Sequence, residues 1–132
     1  MRYYMKKYIL PILILLTSIF LSIYFYPLLP DIMASHWNAQ GIVDGYSGKL
    51  INILMFPILL LVLLILFIFI PKIDPKKKNI KEFEGTFNIF VSAFLSFMLL
   101  LQLQVFLWNT GTQISMNTIM PILMGLLFIV IS

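Results

Sequence analysis

The sequence has no cysteine, a single histidine at position 36, and five acidic residues in 132. Without cysteine there is no disulfide framework, no thiolate zinc site and no thiol nucleophile. With one histidine there is no multi-histidine metal centre, and the His-Glu-x-x-His pattern of membrane metalloproteases does not occur. Charge of either sign is scarce: 11% of residues are charged, where a soluble domain carries about 25%. Hydrophobic residues make up 61% of the chain. So few charged side chains do not cover the core of a water-soluble globule, and lipid is the solvent that this composition fits.

What the chain does have is long apolar runs. Residues 8–29, 50–70 and 87–108 each hold roughly 20 residues without a charge, enough to cross a hydrocarbon core of about 30 Å. A fourth run, 118–132, is shorter. The runs are continuous rather than alternating, which favours spanning helices over an outer-membrane barrel. The expected fold is an all-α membrane protein, a bundle of about four transmembrane helices. Residues 1–7, 30–49, 71–86 and 109–117 connect them. The first run is longer than a signal-peptide core and lacks a small-residue cleavage pattern, so it reads as an uncleaved anchor.

The basic residues fall on one side. Arg2, Lys6 and Lys7 precede the first span, and Lys72, Lys76, Lys77, Lys78 and Lys81 lie between the second and third; only Lys49 falls between the first and second. The positive-inside rule then places the amino terminus and the 71–86 loop in the cytoplasm and residues 30–49 outside, in a multi-pass protein of the cell membrane. Lys76, Lys77, Lys78 and Lys81 serve as a topology determinant or as a surface for anionic lipid or a soluble partner. Nothing provides a nucleic-acid-binding domain.

Within the second span, Pro57 removes a backbone donor and leaves the carbonyl of Ile53 without its usual partner. In the third, Asn88, Ser92, Ser96 and Gln102 share one helical face, and Gln104 points away from them. Such a face packs against neighbouring helices or lines a conduction path. Ser18 and Ser22 in the first span form a facing pair for it. A small transporter or accessory subunit using this polar face is the alternative to a binding role. No charge lies deep in any span, against an autonomous pump.

The densest pattern is in residues 30–49, where Pro27 and Pro30 stop the first helix and Gly41 and the Asp44-Gly45 pair mark turns. Three uses are open for its polar residues. They hydrogen-bond one another and the helix ends; or Trp37 and Tyr46 anchor an amphipathic ligand, with the acids matching its charge; or His36 with Asp31 and Asp44 holds a divalent metal or acts as acid and base. A nucleophile and an oxyanion donor set are lacking, so an enzyme is not expected and no cofactor is implied.

Pro30-Asp31, His36-Trp37-Asn38, Gly41, Asp44-Gly45-Tyr46 and Lys49 together resemble the motif of domain of unknown function 1648, which forms the amino-terminal part of the SdpI family of integral membrane proteins. The resemblance implies a multi-span protein acting in immunity to, or sensing of, a secreted membrane-active toxin or peptide. It also implies an inner partner, a small winged-helix repressor held at the membrane. The residues matching the motif are the candidate ligand-binding set: Pro30, Asp31, His36, Trp37, Asn38, Gly41, Asp44, Gly45, Tyr46 and Lys49. Family members continue past the fourth span into further helices, so this chain is expected to be the front portion of a longer pattern.

Overall fold

The computed structural model describes residues 2–73 and 77–132, with the backbone alone for 2–5 and 77–83. Four helices, α1 (Arg2–Phe25), α2 (Lys49–Ile73), α3 (Lys77–Asn109) and α4 (Met116–Ile131), run up and down, and two strands, β1 (Ile32–Trp37) and β2 (Val43–Gly48), connect α1 to α2. A 3₁₀ turn, Tyr26–Leu28, closes α1, with Pro27 at its start. Among the described residues three stretches, Lys6–Leu28, Lys49–Ile73 and Glu84–Asn109, are long and apolar enough to cross a membrane. The 16-residue α4 extends about 24 Å at 1.5 Å per residue, short of a hydrocarbon core. The chain is thus an all-α membrane bundle carrying one β-hairpin.

The expected 71–86 loop is largely helical. α2 continues through Pro71 to Ile73, and α3 begins at Lys77. Hydropathy marks where hydrocarbon ends, not where a helix ends, and Lys, Glu and Phe continue α3 past that boundary. Lys76 lies outside the described residues, as do the side chains of Lys77, Lys78 and Lys81.

Polarity is inverted relative to a soluble fold. Ser18, Ser22, Asn52, Gln102 and Gln104 are buried, while Phe20, Ile23, Leu50, Ile58 and Ile129 lie exposed on the outer faces. Lipid accepts those outer faces. Inside, where apolar burial supplies little drive, packing and interhelical hydrogen bonds hold the helices. Phe106, Met33, Phe25 and Phe56 form one cluster beneath the hairpin, and Leu60, Leu95, Val91 and Ile14 form another nearer the opposite end.

Between the clusters sits a polar network. The Ser18 hydroxyl donates to Gln102 Oε1 (2.5 Å), and Gln102 Nε2 donates to the Ser18 carbonyl (3.0 Å) and Ser22 Oγ (3.1 Å). Ser22 Oγ in turn donates to the Ile53 carbonyl at 2.8 Å. This is the carbonyl that Pro57 deprives of a helical donor, so a serine of α1 replaces the missing N–H of α2. Gln104, on the other side of α3, donates to the Ile114 carbonyl (2.7 Å). The polar face expected in the third span is therefore divided: Gln102 is engaged with α1, while Asn88, Ser92 and Ser96 line a separate groove.

At the end away from the hairpin, Lys7 and Glu84 pair at 2.9 Å, their side chains 10% and 21% exposed. Glu84→Gln strands a largely covered ammonium. Its expected cost is about 1–3 kcal/mol, between that of an exposed and a fully buried pair. Exchanging the two charges, Lys7→Glu with Glu84→Lys, recovers most of it; unfolding in mixed micelles measures both.

Candidate functional site

The segment following α1 folds as an antiparallel hairpin. Ile32 pairs with Gly48, Met33 with Ser47, Ala34 with Tyr46, His36 with Gly45 and Trp37 with Val43, with irregularities on either side of His36. Asp44-Gly45, expected to mark a turn, lies inside β2. The turn is residues 38–42, organised by Asn38. Its Oδ1 accepts from the backbone N–H groups of Gln40 and Ile42, both at 3.0 Å, and its own N–H donates to the Ile42 carbonyl (2.9 Å). Gly41 closes this turn with φ of +78°, a left-handed conformation that disfavours any side chain.

Gly45 is required for a different reason. A Cβ there would stand 2.9 Å from the Cβ of His36, too close for real atoms, so glycine lets the two strands meet at this pair. Gly45→Ala is expected to destabilise the hairpin by about 1–3 kcal/mol through overpacking. Gly48→Ala, where an added Cβ meets nothing, is the matched control. Near-ultraviolet circular dichroism of Trp37 and Trp108 would separate the two.

The hairpin is fastened to the bundle at several points. Asn109, the last residue of α3, accepts from the Ala34 N–H at Oδ1 (2.8 Å) and donates from Nδ2 to the Ala34 carbonyl (3.0 Å). Its amide therefore acts as a one-residue strand on the free edge of β1. Asn52 of α2 donates to Ser47 Oγ (2.6 Å) and to the Gly48 carbonyl (2.9 Å). Trp37 packs edge-on against Trp108, ring centroids 5.6 Å apart. At the base, the Lys49 N–H donates to the Asp31 carbonyl (2.9 Å), and the Lys49 ammonium lies 4.1 Å from the centre of the Tyr26 ring.

The ten motif residues consequently divide. Trp37, Asn38, Gly41, Gly45 and Lys49 shape and dock the hairpin. Pro30 and Asp31 are exposed at its base. His36, Asp44 and Tyr46 are displayed on it: the His36 side chain is 72% exposed, and its Nδ1 donates to Asp44 Oδ1 at 2.5 Å. Tyr46 is exposed alongside the apolar Ile32 and Ile42. Asp31, His36 and Asp44 are not gathered as a set: no group of three or more metal-ligating side chains occurs among the described residues. Asp31 stands just before β1, away from the His36–Asp44 pair, which is two positions short of the turn.

Two cavities flank the hairpin. One, of about 700 Å³, lies between it and the α3–α4 turn, lined by Ile32, Ile42, Tyr46, Trp108 and Gln113. The other, of about 660 Å³, lies under residues 35–38 against Phe56, Leu101, Met116 and Met120. The Trp37 indole N–H is buried without an acceptor among the described residues. Asn52, Asn109 and Asn117 also belong to this region: the first two bond to hairpin backbone, and the Asn117 side chain lies beside Gly41. Their one signal in the sequence is an asparagine at the end of, or just inside, an apolar run, where a free amide must find a backbone partner.

Residues 13–61 match the family model for Domain of unknown function (DUF1648). The matched segment comprises the second half of α1, the whole hairpin and the first half of α2. No curated protein and no solved structure matches the chain.

Proposed function

We propose that this is a non-enzymatic, multi-pass protein of the cell membrane, of the SdpI type, which meets a membrane-active toxin or peptide through the 30–49 hairpin and acts in immunity or sensing. The observation that carries the reading is the division of the motif. Part of it fastens the hairpin to the bundle, and the remainder, His36, Asp44 and Tyr46, is exposed beside Ile32 and Ile42 and two cavities. A hydrogen-bonded element presenting an aromatic, a short aliphatic surface and a His–Asp pair suits an amphipathic peptide arriving at the headgroup layer. A preformed hairpin also lowers the ordering cost of that encounter. Asn38, Gly41 and Gly45 are read here as positioning residues, and Lys49 as the clamp at the base.

In this reading the amino terminus and the Lys-rich α2–α3 junction face the cytoplasm, as the distribution of basic residues favours. Lys76, Lys77, Lys78 and Lys81 are then available to a soluble partner such as a winged-helix repressor. The test is protection. A toxin-sensitive host expressing the protein, with its presence in the membrane verified, should survive a cognate membrane-active toxin better than the host alone. Tyr46→Ala and Asp44→Asn should lose that protection while leaving the amount of membrane-inserted protein unchanged. No gain in survival from the wild-type protein would sink the reading.

A further inference from the structure

Away from the hairpin, α4 packs on α3 and leaves a groove between itself and α1. The groove is about 630 Å³ and follows α3 from Asn88 to Leu100. Three small side chains on α3, Ser92, Ala93 and Ser96, make its floor recede. Leu10 of α1 and Leu126 and Val130 of α4 form apolar walls, and Lys6 stands at the end away from the hairpin.

We infer that this groove holds one acyl chain of an anionic phospholipid, with its phosphate at Lys6. Three observations fix that occupant. From Asn88 to Leu100 the groove follows twelve helical steps of α3, about 18 Å, close to the roughly 15 Å depth of one leaflet's hydrocarbon. Its polar groups are graded along that depth: exposed Lys6 at headgroup level, then the Asn88 amide one turn inward from Glu84, where ester carbonyls lie, then only small or apolar residues. Among the described residues its charge is positive at the mouth, since Lys6 and Lys7 line it and Glu84, the partner of Lys7, does not. A second copy of the chain fits less well. Copies inserted with the same orientation and meeting face to face would bring Lys6 against Lys6, whereas an anionic headgroup meets it with opposite charge.

The inference depends on membrane insertion of the bundle and not on the toxin reading. Its test uses the full chain, extracted from nanodiscs of equal parts phosphatidylcholine and phosphatidylglycerol and weighed by native mass spectrometry. The wild-type protein should retain a single phospholipid with phosphatidylglycerol preferred. Lys6→Gln should retain a lipid but lower that preference about fivefold, the effect of one basic residue near a headgroup. Ala93→Phe should lose the adduct, and Ser96→Leu, a smaller filling, should weaken it. Unchanged Trp37 and Trp108 fluorescence, from residues distant from the groove, identifies variants that still fold. Equal retention of the two lipids by the wild-type protein, an adduct undiminished in a folded Ala93→Phe or Ser96→Leu variant, or a lipid-free dimer would each overturn the assignment.

Discussion

Asn109→Ala is expected to undock the hairpin, at a cost of about 2–4 kcal/mol. Ala34 is buried, and its N–H and carbonyl both bond to the Asn109 amide; removing that amide leaves two backbone groups seeking partners, each worth about 1–3 kcal/mol when unsatisfied. Water reaching the freed edge recovers part of the loss, which is why the expected total sits below the sum. Asn109→Asp is the informative companion. It keeps an oxygen to accept from the Ala34 N–H and places a second oxygen against the Ala34 carbonyl, so it should fail almost as badly despite its identical shape. The readouts are the unfolding midpoint in mixed micelles and hydrogen exchange at Ala34, which should accelerate in both variants. Hairpin undocking should also abolish the protection proposed for the wild-type protein without touching any displayed residue.

The second large effect is centred on Gln102. Gln102→Leu removes three hydrogen bonds between α1 and α3 and leaves two buried serines facing an apolar side chain, a loss of about 2–3 kcal/mol at roughly 0.6 kcal/mol per membrane hydrogen bond plus imperfect packing. The same network contains a sharper test. Ser22→Ala orphans the Ile53 carbonyl and should cost about 1–2 kcal/mol while residue 57 is proline. Pro57→Ala returns a helical N–H to that carbonyl, so Ser22→Ala should cost about 1 kcal/mol less in the Pro57→Ala background. Additive effects in the double-mutant cycle would show that Ser22 does not stand in for the missing donor.

These two sites show which parts of the molecule are legible in the sequence. The spans, the polar face of α3 and the donor lost at Pro57 follow from periodicity and the chemistry of proline, because each is a property of one segment. Ser18 and Ser22 are legible as a pair for the same reason. What supplies the missing donor at Ile53 is not, since Ser22 reaches it across an interface between helices. The 30–49 segment shows the same limit. Its glycines and asparagines announce tight backbone geometry, yet Asp44-Gly45 suggests a turn by local chemistry while tertiary pairing with His36 makes it a strand. The turn instead falls where Asn38 can cap two N–H groups and Gly41 can take a positive φ. Hairpin formation itself is poorly marked, because glycine and serine weaken the strand signal and the partner that secures the edge, Asn109, is 75 residues away.

The candidate site divides similarly. Spacing alone does not separate residues that build the hairpin from residues that it displays; burial and hydrogen bonding do. Trp37 reads from the sequence as an anchor for a ligand, and the structure places it half-buried against Trp108. Tyr46, grouped with it by residue type, is the one that stays exposed. The charged members separate too: Asp44 pairs with His36 in the open, whereas Lys49 is held over Tyr26 at the base.

The proposed orientation puts the hairpin outside the cell and the lysine-rich junction inside. The absence of native cysteine makes it directly measurable. Ala39→Cys, in the exposed turn, and Asn79→Cys, in the α2–α3 region, are introduced singly and treated in intact cells with a membrane-impermeant maleimide. Labelling of residue 39 in intact cells, with residue 79 labelled only after the membrane is opened, is the predicted result. Labelling of residue 79 from outside, or of both residues alike before lysis, would contradict it.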